Sequence, residues 1–378
     1  MSKRRRILFA IGSLECGGSE RQLLGILNHL DRERFEPHLY LLNRTGDFLG
    51  DVPDDVPITA FSDVPVRGLY FPGRIMRQQV AHLTDHLRTS KPDCLYDRAF
   101  LLPLVTAPAT SKTGIPRVSA IVSDPDRALT FSVHRFRRFK RAILRRACRQ
   151  ASKIVAVSDG VREASIDYYG LDPKRVVTIA NGFEFDRINQ LAQATEIERL
   201  DQSDTFHIVS VGRLQQEKDF ETLIAAVAKV RQQTSRTIRL TLVGDGPSRQ
   251  SLEQQARDNP VQFVGFQSNP FPWMKAADLF CLTSKYEGMP NVLVEAMACG
   301  TPVISTDCPH GPREILADGK YGALVAVRDA NALANAIISA MNDPDLLRQQ
   351  ANAATASIQQ RYSMASSVGQ LESLFLEL

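Results

Sequence analysis

A chain of 378 residues is long for a single hydrophobic core and suits two domains of ordinary size. Its formal charge of +4 is unevenly placed: residues 1–190 hold 30 Lys/Arg against 21 Asp/Glu, and residues 191–378 hold 16 against 21, so the first half is expected to face something anionic. No apolar run reaches the roughly 18 residues that span a bilayer, and the six cysteines form no CxxC pair or metal-ligand cluster, which argues against a membrane span or a metal-built scaffold and for reduced thiols in the cytoplasm.

The basic opening is followed by a short apolar run, 7–11. It is too short for the core of a signal peptide and no small-residue cleavage site follows, so 6–11 reads as a first buried strand. GSLECGGSE then turns into a helix expected over about 21–30, with Gly17 and Gly18 letting a ligand approach backbone N–H groups. This is not the full G-x-G-x-x-G fingerprint, which weakens a nicotinamide reading. Apolar runs recur at 38–42, 94–96, 118–122, 154–157 and 176–179, with helical stretches near 73–88, 135–149 and 160–168. Strands alternating with helices predict a parallel sheet. Residues 46–71, rich in Pro, Asp and Gly, read as loop with one short strand.

Asn181-Gly182 closes this first pattern, and the polar stretch 184–204 reads as a connection. The pattern then restarts, with strands at 208–211, 238–243 and 261–264 and helices reaching to about 230 and 256. The central block is 278–314, where an apolar run, 278–283, precedes Glu287, Gly288 and a helix that Pro290 is placed to open. Loop and helix N-terminus thus lie at the carboxyl end of a strand, where an open α/β sheet docks an anionic ligand. Glu287 in the loop and Glu295 in the helix, eight positions apart, bracket that point. A strand at 321–325 and helices at about 330–341, 344–360 and 364–376 complete the chain.

YEGMPNVLVEAMACGTPVIST, with GRLQQEKDF at 212–220, LVGDGP at 242–247, GGSER at 17–21 and VAVSDGV at 155–161, resembles retaining glycosyltransferases of family 4, block by block and in the family's order, over nearly the whole chain. The resemblance implies a GT-B fold: α/β, two Rossmann-like domains facing a cleft. It implies an acceptor domain over 1–185, a nucleotide-sugar domain over 186–360, and a final helix over 361–378 that crosses back to the first domain. It also implies that Arg213 and Lys218 hold the donor diphosphate, that Glu287 meets hydroxyls of the donor sugar and Glu295 those of the ribose, and that backbone amides in the stretch Met289 to Val292, those of Met289, Asn291 and Val292, meet phosphate or sugar oxygens, with Gly288 and Pro290 in the same donor-binding loop. Gly244, Asp245 and Phe266 would shape the nucleobase side, and Gly17 and Gly18 would lie over diphosphate and acceptor. The catalytic set is then Arg213, Lys218 and Glu287, with no cofactor or metal beyond the nucleotide-sugar donor, expected to be a UDP-hexose or UDP-N-acetylhexosamine.

One departure from the family is the histidine expected near the end of the strand at 118–122, where this chain has Ser123 and Asp124. Either Asp124 helps position the acceptor or no side-chain base acts, the leaving phosphate taking the proton. Asp124-Pro-Asp126 also matches a D-x-D metal motif, which is short enough to arise by chance. The run RFRRFKRAILRRACR at 135–149 has eight basic residues and no acid, with Phe136, Phe139, Ile143 and Ala147 at helical spacing for one packed face. Two readings of its charge stay open, a solvated exterior or peripheral docking on anionic membrane. Nucleic acid is disfavoured, because no aromatic platform or binding motif accompanies the charge. The expected activity is transfer of a sugar to a glycan or lipid-linked acceptor in surface polysaccharide or lipopolysaccharide synthesis, at the inner face of the membrane. A UDP-sugar epimerase of the same architecture and a non-catalytic nucleotide-sugar-binding protein are the alternatives.

Overall fold

The computed structural model describes residues 4–15, 17–69, 71–132, 137–194 and 205–378. It divides into two compact units, one made of Met1–Phe183 and Met364–Leu378, the other of Glu184–Ser363. Each is a parallel sheet with helices on both faces.

The first unit runs β1 (Arg5–Ile11), α1 (Gly18–His29), β2 (Phe35–Leu41), β3 (Ile58–Ala60), α2 (Arg74–Ser90), β4 (Cys94–Arg98), α3 (Pro103–Thr113), β5 (Arg117–Ile121), α4 (Pro125–Ser132), α5 (Arg137–Arg149), β6 (Lys153–Ala156), α6 (Asp159–Tyr169) and β7 (Val176–Thr178). The strand order is β3-β2-β1-β4-β5-β6-β7, all parallel. Central strands buried on both faces must be apolar throughout rather than alternating, as β1 is from Ile7 to Ile11. On one face the core is aromatic: the Phe9 ring lies 5.6 Å from Tyr96 and 6.0 Å from Phe375, edge to face in both cases. Phe375 belongs to the C-terminal helix, Met364–Leu376, which packs on this sheet and not on that of the second unit. Met364 N–H donates to Phe183 O (3.0 Å), Asp31 N–H to Glu372 Oε1 (2.7 Å) and Arg5 Nη1 to Phe375 O (2.6 Å), which ties the helix along its length.

Under the other face, Arg117 on β5 and Asp97 on β4 form an ion pair at 2.9 Å with side chains 1% and 0% exposed. Asp97 also accepts from Thr106 Oγ1 of α3 and from Ser119 Oγ, while Arg117 reaches the Ala147 carbonyl of α5.

Several local expectations are corrected. Helices α3 and α4 appear where none was expected. α3 carries an internal Pro108 and lacks amphipathic period, and α4 is opened by Asp124, whose Oδ1 accepts from Arg127 N–H at 2.8 Å. Asp124 is therefore engaged at a helix start. In α5, Phe139 does not pack: it is 67% exposed, and the buried residues are Leu144, Ala147 and Cys148. Phe136 lies outside the described residues.

The second unit runs α7 (Phe185–Gln193), β8 (Thr205–Val211), α8 (Phe220–Gln233), β9 (Thr237–Val243), α9 (Arg249–Gln255), β10 (Val261–Gly265), α10 (Phe271–Ala276), β11 (Leu279–Leu282), α11 (Asn291–Ala298), β12 (Val303–Thr306), α12 (Pro312–Ile315), β13 (Ala323–Val325), α13 (Ala330–Asn342) and α14 (Pro344–Arg361). The stretch expected as a polar connection thus begins as helix α7, and its remainder, 195–204, lies outside the described residues. Strand order is β10-β9-β8-β11-β12-β13. The strand order reverses between β8 and β11, the switch point at which an open α/β sheet forms its ligand crevice, at the strands' carboxyl ends.

Candidate functional site

The loops after β8 and β11 are joined at that crevice by buried charge. The loop after β8 ends in a tight turn, Gln216–Lys218, followed by Asp219 in the left-handed region (φ 52°). Asp219 is 4% exposed, accepts from Thr222 Oγ1 at 2.8 Å and pairs with Lys285 Nζ at 3.1 Å. Lys285 N–H donates to Glu217 O (2.8 Å) and Thr283 Oγ1 to Lys218 O (2.9 Å). This staple presents the Lys218 ammonium to Glu287, Nζ to Oε1 2.7 Å, with Ser284 Oγ donating to the same oxygen at 2.6 Å. Burial works against the Lys218 charge, but the Glu287 carboxylate outweighs it and holds the ammonium above the usual lysine range. Lys218 thus stays charged at neutral pH.

Glu287 is itself held by main chain: its N–H donates to Pro309 O at 3.1 Å, and Gly311 follows with φ 91°. A Cβ on Gly311 would stand 2.5 Å from Pro290 Cδ and 3.0 Å from Gly288 O, so only glycine lets this strap pass behind the loop. Pro290 caps α11 and does not occupy its first turn (φ −72°, ψ 97°), which brings the N–H groups of that turn to the loop mouth. Glu295, 3% exposed, lies one turn further along the helix.

On the other side of β8, Leu214 N–H donates to Asp245 O (2.9 Å) and Ser248 N–H to Leu214 O (2.9 Å), so the loops after β8 and β9 run together. Gly244 (φ 140°) makes this approach possible, since a Cβ there would meet Gly212 O at 2.0 Å. Arg213 is exposed beside them, and Asp245 accepts from Gly246 N–H (2.7 Å) and Arg249 Nη1 (2.8 Å), which lowers its pKa. Phe266 follows β10 at the same edge, 51% exposed. The structure therefore gathers the second-unit site residues along one sheet edge, and sequence reasoning missed the Asp219–Lys285 staple and Ser284. Asp219 lies within the block quoted at 212–220 and Lys285 immediately precedes the block that begins at Tyr286, but only long-range geometry pairs them.

In the first unit, Gly18 starts α1 and Gly17 caps it in extended geometry (φ −140°). A Cβ on Gly17 would fall 2.1 Å from Glu20 Oε2, so a side chain there would displace the Glu20 carboxylate from its place. Burial raises the Glu20 pKa, opposed by its own N–H and by Arg98. Arg98, at the end of β4 and 4% exposed, donates to Asn181 Oδ1 at 2.6 Å. Gln22 and Gly182 exchange two hydrogen bonds, 2.8 and 3.0 Å. Arg98, Glu20 and Gln22 were not singled out in the sequence, because an arginine ending a strand and polar residues opening a helix have no distinctive spacing.

Two family models match the chain, one described as Glycosyltransferase Family 4 over residues 16–187 and one as Glycosyl transferases group 1 over residues 205–343. Among characterised proteins, a diphospho-undecaprenol 4-α-N-acetylgalactosaminyltransferase of Campylobacter jejuni is 25% identical, covering 91% of this chain and 92% of its own. The lipopolysaccharide core biosynthesis glycosyltransferase LpsE of Rhizobium meliloti is 37% identical over 37% of this chain and 40% of its own. Among solved structures, Anabaena HepE in complex with UDP and glucose superposes with a TM-score of 0.81 at 24% identity, covering 99% of this chain and all of the other. That likeness establishes the GT-B fold.

Proposed function

The chain belongs to glycosyltransferase family 4, and we propose that it moves a hexose or N-acetylhexosamine from a UDP donor to a hydroxyl of a lipid-borne glycan, with the anomeric configuration retained. The observation that carries this reading is the Lys218–Glu287 pair at the mouth of α11. It sets a fixed cation and helix N–H groups where the donor's diphosphate would develop charge, with Arg213 as the second cation. Glu287 fixes the ammonium and offers its second oxygen to a sugar hydroxyl. The buried Glu295 carboxylate would take the ribose hydroxyls as donors.

In the transfer, the bond from the anomeric carbon to the diphosphate oxygen breaks and a bond to the acceptor oxygen forms on the same face. The acceptor proton passes to the departing phosphate. No side-chain base is required, which fits Asp124 being engaged at the start of α4. The leaving group needs neither an acid nor a divalent metal, because the two cations and the helix dipole receive its charge. The Campylobacter relative is named for a diphospho-undecaprenol acceptor, and the R. meliloti relative for lipopolysaccharide core synthesis. Both support an acceptor carried on lipid.

The test is UDP release from a panel of UDP-sugars in the presence of a chelator, with the first-formed anomer of the transferred or released sugar read by proton NMR. Turnover without metal and retention are expected. Turnover that requires manganese, or inversion, would overturn the mechanism. Epimerised donor with no transfer would replace it by an isomerase.

A further inference from the structure

Among the described residues, eleven large hydrophobic side chains are exposed, and six of them fall within one stretch of thirteen: Val64, Val66, Leu69, Phe71, Ile75 and Met76. Leu69 is 90% exposed. Two more, Leu101 and Phe139, precede or open α3 and α5 as this stretch precedes and opens α2. In a parallel sheet the helix that follows a strand begins at that strand's carboxyl end, as α2 and α3 do; α5, reached through α4, ends where β6 begins and so starts on the same side, and α2, α3 and α5 pack side by side in one layer. All eight therefore lie along the same rim of the first unit.

The stretch is held in this form. Gln78 of α2 bonds both backbone groups of Arg67, accepting from its N–H at 3.1 Å and donating to its carbonyl at 2.6 Å. Arg74 donates to Gly68 O, and the Arg77 guanidinium lies 5.6 Å from the Phe71 ring centre. Three arginines and no acid occur from 64 to 84, and the preceding acid, Asp63, is engaged by Arg44 at 2.6 Å. Around Phe139 stand Arg137, Arg138, Lys140 and Arg141, of which Arg137 pairs with Asp126 at 3.3 Å.

We propose that this rim docks the chain on an anionic lipid bilayer, with Leu69, Phe71 and Phe139 entering the headgroup–acyl boundary and the basic residues pairing with lipid phosphate. Apolar tips among cations, with the nearby acids Asp63 and Asp126 each paired to an arginine, match the interface of such a bilayer, which offers acyl chains beneath negative charge. A second copy of the chain fits worse, because a two-fold contact would set the same arginines against each other. Docking is a property of the first unit's surface and does not depend on which sugar is transferred. It assigns the insertion to 64–76 as well as the basic helix, with Phe139 as an anchor and not a core residue.

The test is sedimentation of the full chain with vesicles of phosphatidylglycerol and phosphatidylcholine, compared with phosphatidylcholine alone, at low and high salt and without donor. Binding to the anionic vesicles, weakened by salt and reduced about tenfold or more in Leu69→Ser/Phe71→Ser, is expected. These positions are exposed, so the variant's thermal midpoint and UDP binding should match the parent and show that it folds. A Leu69→Trp variant should shift its added emission to the blue only with anionic vesicles. No binding at low salt, or binding that the double variant leaves intact, would overturn the proposal. So would a dimer in solution that the double variant dissolves without any vesicle binding.

Discussion

Lys218 Nζ stands 2.7 Å from Glu287 Oε1, although the two side chains come from loops after different strands, β8 and β11. Glu287 is 11% exposed at its side chain and Lys218 23%, so each would be left poorly solvated if its partner were removed. Glu287→Gln keeps the shape and deletes the charge. We expect kcat/KM to fall about 10²–10³-fold, with a lowered thermal midpoint because the Lys218 ammonium loses its carboxylate. The double variant with Lys218→Met should be no worse than the poorer single variant. Fully additive losses in steady-state kinetics would show that the two act separately.

The Asp97–Arg117 pair has no water to fall back on. Arg117→Met leaves a buried carboxylate without its cation and should cost about 3–5 kcal/mol in guanidinium unfolding. Adding Asp97→Leu should recover part of that loss. A single variant as stable as the parent would mean that Thr106 and Ser119 suffice to hold Asp97.

Burial holds the imidazoles of His82 and His86 below the usual histidine range, against Asp63 and Asp85 near His82 and with His38 near His86. A folded pKa below the unfolded value means that the unfolded chain takes up protons first. The stabilisation is therefore complete above the unfolded pKa of about 6.5 and is lost as pH falls. Thermal midpoints measured from pH 8 to pH 5 should fall more steeply for the parent than for His86→Phe. Identical slopes would contradict this. Tyr40, which shares a 2.9 Å hydrogen bond with His82, should change its near-ultraviolet signal over the same range.

The five cysteine thiols among the described residues should be inert. Burial pushes Cys94, Cys148, Cys299 and Cys308 up to about 12, and raises Cys281 as well. At pH 8 only about one thiol in 10⁴ would then be thiolate. Iodoacetamide labelling of the native chain, read by mass spectrometry, should leave all five unmodified until denaturant is added. Rapid labelling of Cys308, whose thiol feels both Glu287 and Lys218, would place it in the open.

Much of the fold could be read because buried parallel strands must be apolar throughout. The runs of β1, β8 and β11 admit little else, and the helix Met364–Leu376 has the expected limits. Helix α3 was hidden by Pro108 and three threonines, and α4 by a D-P-D run that also suits a turn. In α5 the stripe through Phe139 and Ile143 and the stripe through Leu144 and Cys148 both satisfy helical spacing, and only the neighbouring sheet decides that the second is buried. At the site, loop position and carboxylate spacing could be read from 278–314. That Lys218 pairs with Glu287, and Lys285 with Asp219, could not, since each pair joins residues more than sixty positions apart.

The central claim is that the crevice between β8 and β11 binds a nucleoside diphosphate through Lys218. Calorimetric titration of the chain with UDP, GDP and ADP, repeated on Lys218→Ala, tests it most directly. The account predicts selective UDP binding that falls by at least about tenfold in the variant while its thermal midpoint stays within a few degrees. Binding of none of the three nucleotides, or UDP binding that survives the loss of Lys218, would contradict it.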